Sequence, residues 1–93
     1  MKCSRRIKLK ELIVYSATWC GPCKMLKPVL HKLKQEQNYN IQIIDVDERT
    51  DLTQEAGIMA VPTLVFKNSG KEYHRHIGFQ TELKIKEFYN KEV

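Results

Sequence analysis

The chain has 93 residues, a length that suits one domain with a single modest core. Its hydrophobic fraction of 42% and charged fraction of 29% lie in the range of ordinary soluble domains. It contains no repeat, no low-complexity segment and no apolar run near the roughly 20 residues that a helix needs to cross a bilayer, which excludes a repeat protein and a helical membrane protein.

The first ten residues carry the whole excess of positive charge. The formal net charge is +5, and five basic residues with no acidic residue lie in this segment: Lys2, Arg5, Arg6, Lys8 and Lys10. We therefore predict one domain over residues 1–93 with a basic N-terminal arm at residues 1–10. The arm has no aromatic residue that could stack on a base, so we expect no nucleic-acid partner. The apolar stretch after it is too short for a signal peptide, which favours a cytoplasmic location.

The segment Trp19-Cys20-Gly21-Pro22-Cys23 is the most informative part of the chain. An apolar run from Leu12 to Tyr15 precedes it and predicts a buried strand. Pro22 can begin a helix, because its ring presets φ and the N–H that it lacks would have no partner there. The partial positive charge of a helix N-terminus favours a thiolate, so this pattern predicts a thiol-disulfide active site with Cys20 as the nucleophile.

The residues after the motif indicate a helix, a strand and a short helix. Apolar residues recur at helical spacing and are predicted to face inward: Met25, Leu26, Val29, Leu30 and Leu33. The run Ile41 to Val46 is nearly all apolar and predicts a parallel strand buried on both faces. Thr50 or Asp51 can cap a short helix that ends at Gly57.

The last third of the chain indicates a hairpin followed by a helix. Two strands, Thr63 to Phe66 and Glu72 to Ile77, flank a tight turn at residues 68–70. Thr81 is predicted to cap a final helix whose apolar residues face inward: Leu83, Ile85, Phe88 and Tyr89. The order of elements predicts an α/β fold in which a four-stranded mixed sheet is flanked by three helices.

From about Leu12 to its C-terminus, the chain resembles the thioredoxin family. The resemblance rests on the segments Ser16-Ala17-Thr18-Trp19-Cys20-Gly21-Pro22-Cys23-Lys24-Met25 and Val61-Pro62-Thr63, on Gly70 and Gly78, and on Ile85 to Phe88. A C-x-x-C pair alone is a weak signal, because it also suits half a zinc site. The tryptophan before the pair, the Gly-Pro inside it and the distant Val-Pro-Thr make the combination specific. The resemblance implies a thioredoxin-like fold with a cis bond between Val61 and Pro62.

Two departures from the family pattern are visible in the sequence. The family usually begins with a further strand and helix, so this part is predicted to be missing or reduced, with a short edge strand at most over Ile7-Lys8-Leu9. One edge of the sheet should then be less covered. The family also buries an Asp six residues before the first cysteine, paired with a Lys on the neighbouring strand. Val14 and Ile43 take these two places here.

The resemblance implies a protein disulfide reductase without a cofactor. Cys20 is expected to be partly exposed and to attack a substrate disulfide, and Cys23 to release the product by closing a Cys20–Cys23 redox disulfide. Expected partners are disulfide-containing client proteins and an electron donor of the thioredoxin-reductase type, and the chain is expected to be a monomer. The predicted substrate-binding positions are Trp19, Gly21, Pro22, Val61, Pro62 and Gly78. Trp19 would offer an apolar contact, Val61 its backbone polar groups and Gly78 room for the substrate.

Several alternatives stay open at this point. The short N-terminus also suits a glutaredoxin-like, glutathione-dependent reductase, and proteins of this fold can serve as non-catalytic assembly or binding modules. A metal site would need two ligands besides the cysteine pair, and His31, His74 and His76 are predicted to lie on the surface away from it, so no metal is expected. Cys3 is either a free thiol or a site of mixed-disulfide or dimer formation.

Overall fold

The computed structural model describes residues 9–92. Its strands are β1 (Lys10–Ser16), β2 (Ile41–Asp45), β3 (Thr63–Asn68) and β4 (Lys71–Ile77), and its helices are α1 (Gly21–Glu36), α2 (Thr50–Glu55) and α3 (Glu82–Tyr89). The predicted order of elements is confirmed. The predictions for Cys3, for the basic residues before Leu9 and for an edge strand beginning at Ile7 concern residues outside this range. None of the helices in residues 9–92 is long and apolar enough to span a membrane.

The four strands form one mixed sheet in the order β2-β1-β3-β4. β1 pairs in parallel with β2, where Leu12 lies opposite Ile41 and Val14 opposite Ile43. The β1–β3 and β3–β4 pairs are antiparallel. The predicted mixed sheet is therefore confirmed. The carboxyl ends of the parallel strands β1 and β2 lie side by side at one end of the sheet. The cysteine motif directly follows β1 at that end.

The sheet is apolar on both faces. One face packs against α1 and α3 through residues that include Leu12, Val14, Leu26, Phe66 and Ile85. The other face, on the side of α2, contains Ile13, Tyr15, Ile44 and Val65. Together these contacts fix β1, and with it the start of the cysteine motif, in the middle of the domain.

Two apolar residues that were predicted to face inward are exposed. Met25 is 65% exposed, because Leu26, Leu30 and Leu33 face the sheet and Met25 lies about 100° around the helix from Leu26. Leu83 is 74% exposed, because it lies two residues, or about 200°, before the fully buried Ile85. Both predictions assigned every apolar residue of the helix to its buried face. They did not determine which direction around the helix axis that face is centred on.

The prediction that β2 is buried on both faces is wrong. Ile41 and Ile44 are buried, but Gln42 is exposed and Ile43 is 46% exposed. The reason is that β2 is an edge strand among the described residues, with β1 as its sole neighbour there. One edge of the sheet was predicted to be less covered. Among the described residues that edge is β2.

The connections that follow α2 and β3 use backbone conformations with positive φ. Ser69 and Gly70 both have positive φ values, 55° and 82°, as a two-residue turn between antiparallel strands requires. Gly57 follows α2 with a φ of 69°, as predicted for a helix stop. The residue that precedes α2 is Arg49, whose side chain makes no capping hydrogen bond, so the predicted cap at Thr50 or Asp51 is wrong.

His74 makes the stability of the domain sensitive to acid. Its ring stacks on Phe88 at 3.8 Å between centroids, and its Nε2 atom is buried without a hydrogen-bond partner in the described structure. The pKa of His74 is lowered, mainly by burial and to a smaller extent by the nearby His76 and Lys91. Because the folded state disfavours the charged ring, stability is fully present above the pKa of the unfolded chain and is lost as the pH falls through that value.

We therefore expect the melting temperature of the oxidised protein to fall by a few degrees between about pH 7.5 and 5.5. In a His74→Phe variant this part of the pH dependence should become flatter. His31→Gln, which changes an exposed histidine on α1, serves as the control and should keep the wild-type slope. Thermal unfolding followed by circular dichroism measures both. Equal slopes in His74→Phe and wild type would contradict the assignment.

Candidate active site

The cysteine motif places Cys20 at the N-terminus of α1. Cys20 is the N-cap residue, with an extended backbone (φ −90°, ψ 119°), and Pro22 lies in the first turn as predicted. The Cys23 amide N–H donates a hydrogen bond to Cys20 Sγ at 3.2 Å, in the way that a serine oxygen usually accepts at this position. One of the amide groups that have no partner within the helix therefore points at the sulfur of Cys20.

Cys20 and Cys23 form a disulfide, with 5.2 Å between their Cα atoms. This separation is within the range that unstrained backbones supply to a disulfide. Both residues are buried, at 5% and 3% exposure, among Ala17 and the half-buried Val46 and Val61. The prediction that Cys20 is partly exposed is wrong for this disulfide form, because Cys20 packs against the Val61 loop.

The Val61–Pro62 loop lies against the disulfide. The bond between these residues is cis, which confirms what the resemblance implied. The Val61 carbonyl oxygen lies 3.7 Å from Cys20 Sγ, and Pro62 is fully buried. Two segments about forty residues apart in sequence are thus brought into contact at the sulfur atoms.

Gly78 is connected to this loop, because its N–H donates to the Pro62 carbonyl oxygen at 2.7 Å. A Cβ atom on Gly78 would meet no atom within 4 Å, so no crowding by the described residues requires glycine here. Its φ of 104°, by contrast, lies in a region that other residues rarely adopt. The backbone conformation accounts for the glycine, and the open space beside it is compatible with the predicted room for a substrate.

Trp19 projects from the surface beside the disulfide. It is 66% exposed, and its indole N–H donates a hydrogen bond to Asp47 Oδ2 at 2.9 Å. Gly21 and Pro22 are exposed as well. A cavity of about 190 Å³ is lined by Trp19 and Val61, and also by Ile58 and Met59. Met59 is 94% exposed, so the disulfide has an apolar surface at its side.

Sequence reasoning did not identify Asp47 or Met59. Asp47 lies two residues beyond the end of β2, at the end of the sheet where the parallel strands β1 and β2 both finish. Since residues that follow parallel neighbouring strands lie close together, this position could have been placed near Trp19. Met59 stands two residues before Val61, and its exposure depends on how the loop after α2 turns. No sequence pattern encodes that turn.

We expect Asp47→Ala to weaken the reduction of protein disulfides by about threefold, because one hydrogen bond that orients the exposed indole is lost. The fluorescence of Trp19, the one tryptophan of the chain, should change at the same time. Insulin reduction by dithiothreitol and the emission spectrum measure the two effects. Asp51→Ala removes a carboxylate that pairs with Arg49 on the surface and should leave both unchanged. Wild-type turnover in Asp47→Ala would show that the hydrogen bond does not matter for substrate reduction.

The described residues do not gather the ligands of a metal ion at this place. Within residues 9–92, no three His, Cys, Asp or Glu side chains lie close enough together to share one. The chemistry of the site is therefore derived below from the two sulfur atoms and the groups around them.

Comparison with known proteins assigns this geometry to a family. The thioredoxin family model matches residues 5–91. The chain is similar to the thioredoxin of Listeria monocytogenes, with 38% identity over 79 residues that cover 83% of this chain and 77% of the relative. The thioredoxin of Bacillus subtilis is 39% identical over 79 residues, which cover 83% and 76%.

Solved structures agree with the sequence relatives. A mutant thioredoxin from Halobacterium salinarum superposes with a TM-score of 0.84 at 35% identity, and the match covers 92% of this chain and 79% of that one. The oxidised form of mitochondrial thioredoxin 3 from Saccharomyces cerevisiae gives a TM-score of 0.78 at 35% identity, covering 88% and 77%. Both levels of identity are high enough for the likeness to extend beyond the fold.

Proposed function

Since the chain belongs to the thioredoxin family and is a thiol-disulfide oxidoreductase, we propose that it reduces protein disulfides through a dithiol formed by Cys20 and Cys23. The observation that carries the proposal is the disulfide between these residues at the start of α1, where Cys20 Sγ accepts the Cys23 amide hydrogen bond. An amide donor and the positive end of a helix stabilise a thiolate more than a thiol, and the thiolate is the form that attacks disulfides.

The proposed reaction has two exchange steps. In the first, the Cys20 thiolate attacks one sulfur of the substrate disulfide, a mixed disulfide forms, and the second substrate sulfur leaves as a thiolate that takes up a proton. In the second, Cys23 loses its proton and attacks Cys20 Sγ, so the first substrate sulfur leaves. Two electrons pass from the dithiol to the substrate, and Cys20 and Cys23 end in the disulfide form that the structure describes.

The surroundings of the disulfide support the assignment of the substrate-binding positions. The exposed Trp19 offers an apolar contact beside the ring, and Met59 extends that surface. Val61 is proposed to pair its backbone with an extended substrate segment, a mode in which main-chain hydrogen bonds supply much of the affinity. Its carbonyl already lies 3.7 Å from Cys20 Sγ, so a segment bound there would hold its disulfide next to the nucleophile. The complete proposed set is Trp19, Gly21, Pro22, Val61, Pro62 and Gly78.

Members of the thioredoxin family act on disulfide substrates and are reduced by thioredoxin reductase. For this chain we propose disulfide-containing client proteins as substrates and a flavin-dependent reductase of that class as the electron donor. The Gly-Pro pair between the cysteines, as in the family, favours the reducing direction. The monomeric state, the cytoplasmic location and a single domain over residues 1–93 stay predictions.

The reduction of insulin disulfides by dithiothreitol tests the proposal. The wild-type protein should accelerate the reaction, and Cys20→Ser should lower the rate to that of dithiothreitol alone, because no second group can replace the nucleophile. Cys3→Ser is the matched control, since it also removes one thiol, and it should keep the wild-type rate. Acceleration that survives in Cys20→Ser would contradict the proposed role of Cys20. A wild-type protein without acceleration would favour the binding-module alternative.

A further inference from the structure

The outer edge of β2 carries backbone groups that β1 does not use. The Leu12 N–H donates to the Asn40 carbonyl, and the Val46 N–H donates to the Ser16 carbonyl, each at 2.9 Å. In a parallel pair, alternate residues of a strand face the partner, so the even-numbered residues of β2 face β1. The N–H and C=O groups of Ile41 and Ile43 therefore point away from the sheet. No other strand within residues 9–92 pairs with them.

A groove with an apolar wall and a basic rim lies directly beside these groups, between α1 and β2. Its volume is about 450 Å³. Pro28, Ile41 and Ile43 contribute to the apolar wall, and Ile43 is 46% exposed. The rim consists of Lys27, His31 and Lys34, which follow one another along a single face of α1. This basic groove, defined by these six residues, combines hydrogen-bonding groups, apolar surface and positive charge.

The positively charged rim takes part in no ion pair within the described part of the chain. None of the residues that line the groove is acidic, and the ion pairs among residues 9–92 leave out the three rim residues. Asp45 and Glu48 lie in the neighbouring cavity toward the active-site end of β2, which Lys27 also lines, whereas His31 and Lys34 do not. An occupant of the groove would therefore gain from carrying negative charge along the rim.

The dimensions suit a short extended segment. The eight residues from Lys27 to Lys34 extend about 10 Å along the helix axis, which is the length of about three residues of a β-strand. We propose that the basic groove binds an extended acidic segment of a partner protein, which adds as a strand to the edge of β2. Apolar residues at the centre of that segment would cover Ile43, and flanking carboxylates would lie beside Lys27 and Lys34.

Charge argues against the two occupants that this chain could supply itself. Residues 1–8 contain four basic residues and no acidic one. In a symmetric pair of β2 edges, the rim of one copy would face the rim of the other. Both arrangements bring like charges together, which costs free energy, whereas an acidic segment is attracted by the same groups.

The proposal can be tested with a fluorescein-labelled peptide of three glutamates, three valines and three glutamates. Fluorescence anisotropy should show saturable binding to the full oxidised chain, and the binding should weaken as the salt concentration rises. The same peptide with lysines in place of the glutamates should not bind. A version with N-methylated valines keeps the charge but lacks the backbone donors, and we expect it to bind at least about tenfold more weakly.

Variants of the chain locate the site. Lys27→Glu combined with Lys34→Glu should weaken binding about tenfold or more, because two attractive contacts become repulsive. The control variant, Lys71→Glu with Lys91→Glu, makes the same change in net charge at two exposed positions outside the groove. It should bind the peptide like wild type. Ile43→Gln should weaken binding, whereas Ile77→Gln, on the opposite edge strand, should not. Insulin reduction and the circular dichroism spectrum of the groove variants should stay unchanged, which keeps this test separate from that of the thiol chemistry.

Three results would overturn the proposal. The first is equal binding of the acidic and basic peptides, or equal binding by the Lys27→Glu, Lys34→Glu variant. The second is binding of the acidic peptide only after deletion of residues 2–8, because the chain's own arm would then be the occupant. The third is a dimer of the full chain, seen by sedimentation, that dissociates in Ile43→Gln.

Discussion

A Cys23→Ser variant is expected to stop after the first exchange step and to remain covalently bound to its substrate. The hydroxyl that replaces the Cys23 thiol cannot displace the substrate from Cys20, whereas Cys20 still accepts the amide hydrogen bond of residue 23 at the start of α1. Turnover of insulin should fall by at least about a hundredfold. A complex of the variant with one insulin chain should appear on non-reducing gels and disappear after addition of dithiothreitol.

The outcome depends on the order in which the two cysteines react. The exposure of the two residues in the disulfide form does not determine this order. Cys20 and Cys23 are 5% and 3% exposed, so neither is open to a substrate in the disulfide state. Their positions differ, because Cys20 is the N-cap and accepts the amide hydrogen bond that Cys23 donates. A Cys20→Ser variant treated in the same way should form no complex. If Cys20→Ser forms the complex and Cys23→Ser does not, the two roles are reversed.

Local patterns were enough to predict most of the fold. Apolar runs and turn residues placed all four strands and three helices in the right order, and Ser69 and Gly70 marked the hairpin correctly. Apart from the N-cap of α2, the errors in the fold concern exposure: Met25, Leu83 and Ile43 are apolar but lie partly or mostly in solvent. An apolar residue in a sequence does not tell which neighbour covers it. That depends on the rotation of each helix on the sheet and on which strand lies at the edge.

Residues of the site could be predicted where a motif restricts the residue type. They were harder to predict where only tertiary contacts bring a residue into the site. Cys20 and Cys23 could be named from the chemistry of their motif and the Val61–Pro62 loop from the resemblance to the family, and the structure brings them into contact. Asp47 is one of several acidic residues after β2, and only its hydrogen bond of 2.9 Å from the Trp19 nitrogen distinguishes it. The basic groove likewise joins residues of α1 and β2 whose proximity follows from the packing of the two elements.

The pairing of Val14 with Ile43 provides a second test with a large expected effect. The two residues lie directly opposite each other on β1 and β2, as the resemblance implied for the places of the family's Asp and Lys. Val14 is buried, at 1% exposure, while Ile43 is 46% exposed. The apolar pair avoids the cost of burying charge. At the Val14 position it also lacks the carboxyl group of the family's Asp, to which the resemblance assigns the transfer of the Cys23 proton through water.

Val14→Asp alone should lower the free energy of unfolding by about 3 kcal/mol or more near neutral pH, because it places an unpaired carboxyl in the core. Burial should raise the pKa of that carboxyl in the folded state. The loss of stability relative to wild type should therefore be smallest below about pH 4 and increase as the pH rises above that value. Urea denaturation at several pH values measures this loss. Ile43→Lys is the matched single variant and should have little effect, since its side chain can reach solvent at the edge of β2.

The double variant, Val14→Asp with Ile43→Lys, is expected to regain part of the lost stability and to resolve the mixed disulfide about tenfold faster than wild type. We set this gain below the usual 10²–10⁴-fold effect of a positioned acid–base group, because solvent can also accept a proton where no such group is present. Stopped-flow measurement of Trp19 fluorescence during insulin reduction gives the rate. An unchanged or slower rate in a folded double variant would show that proton transfer from Cys23 does not limit resolution. The apolar pair would then be explained by the stability of β1 and β2 alone.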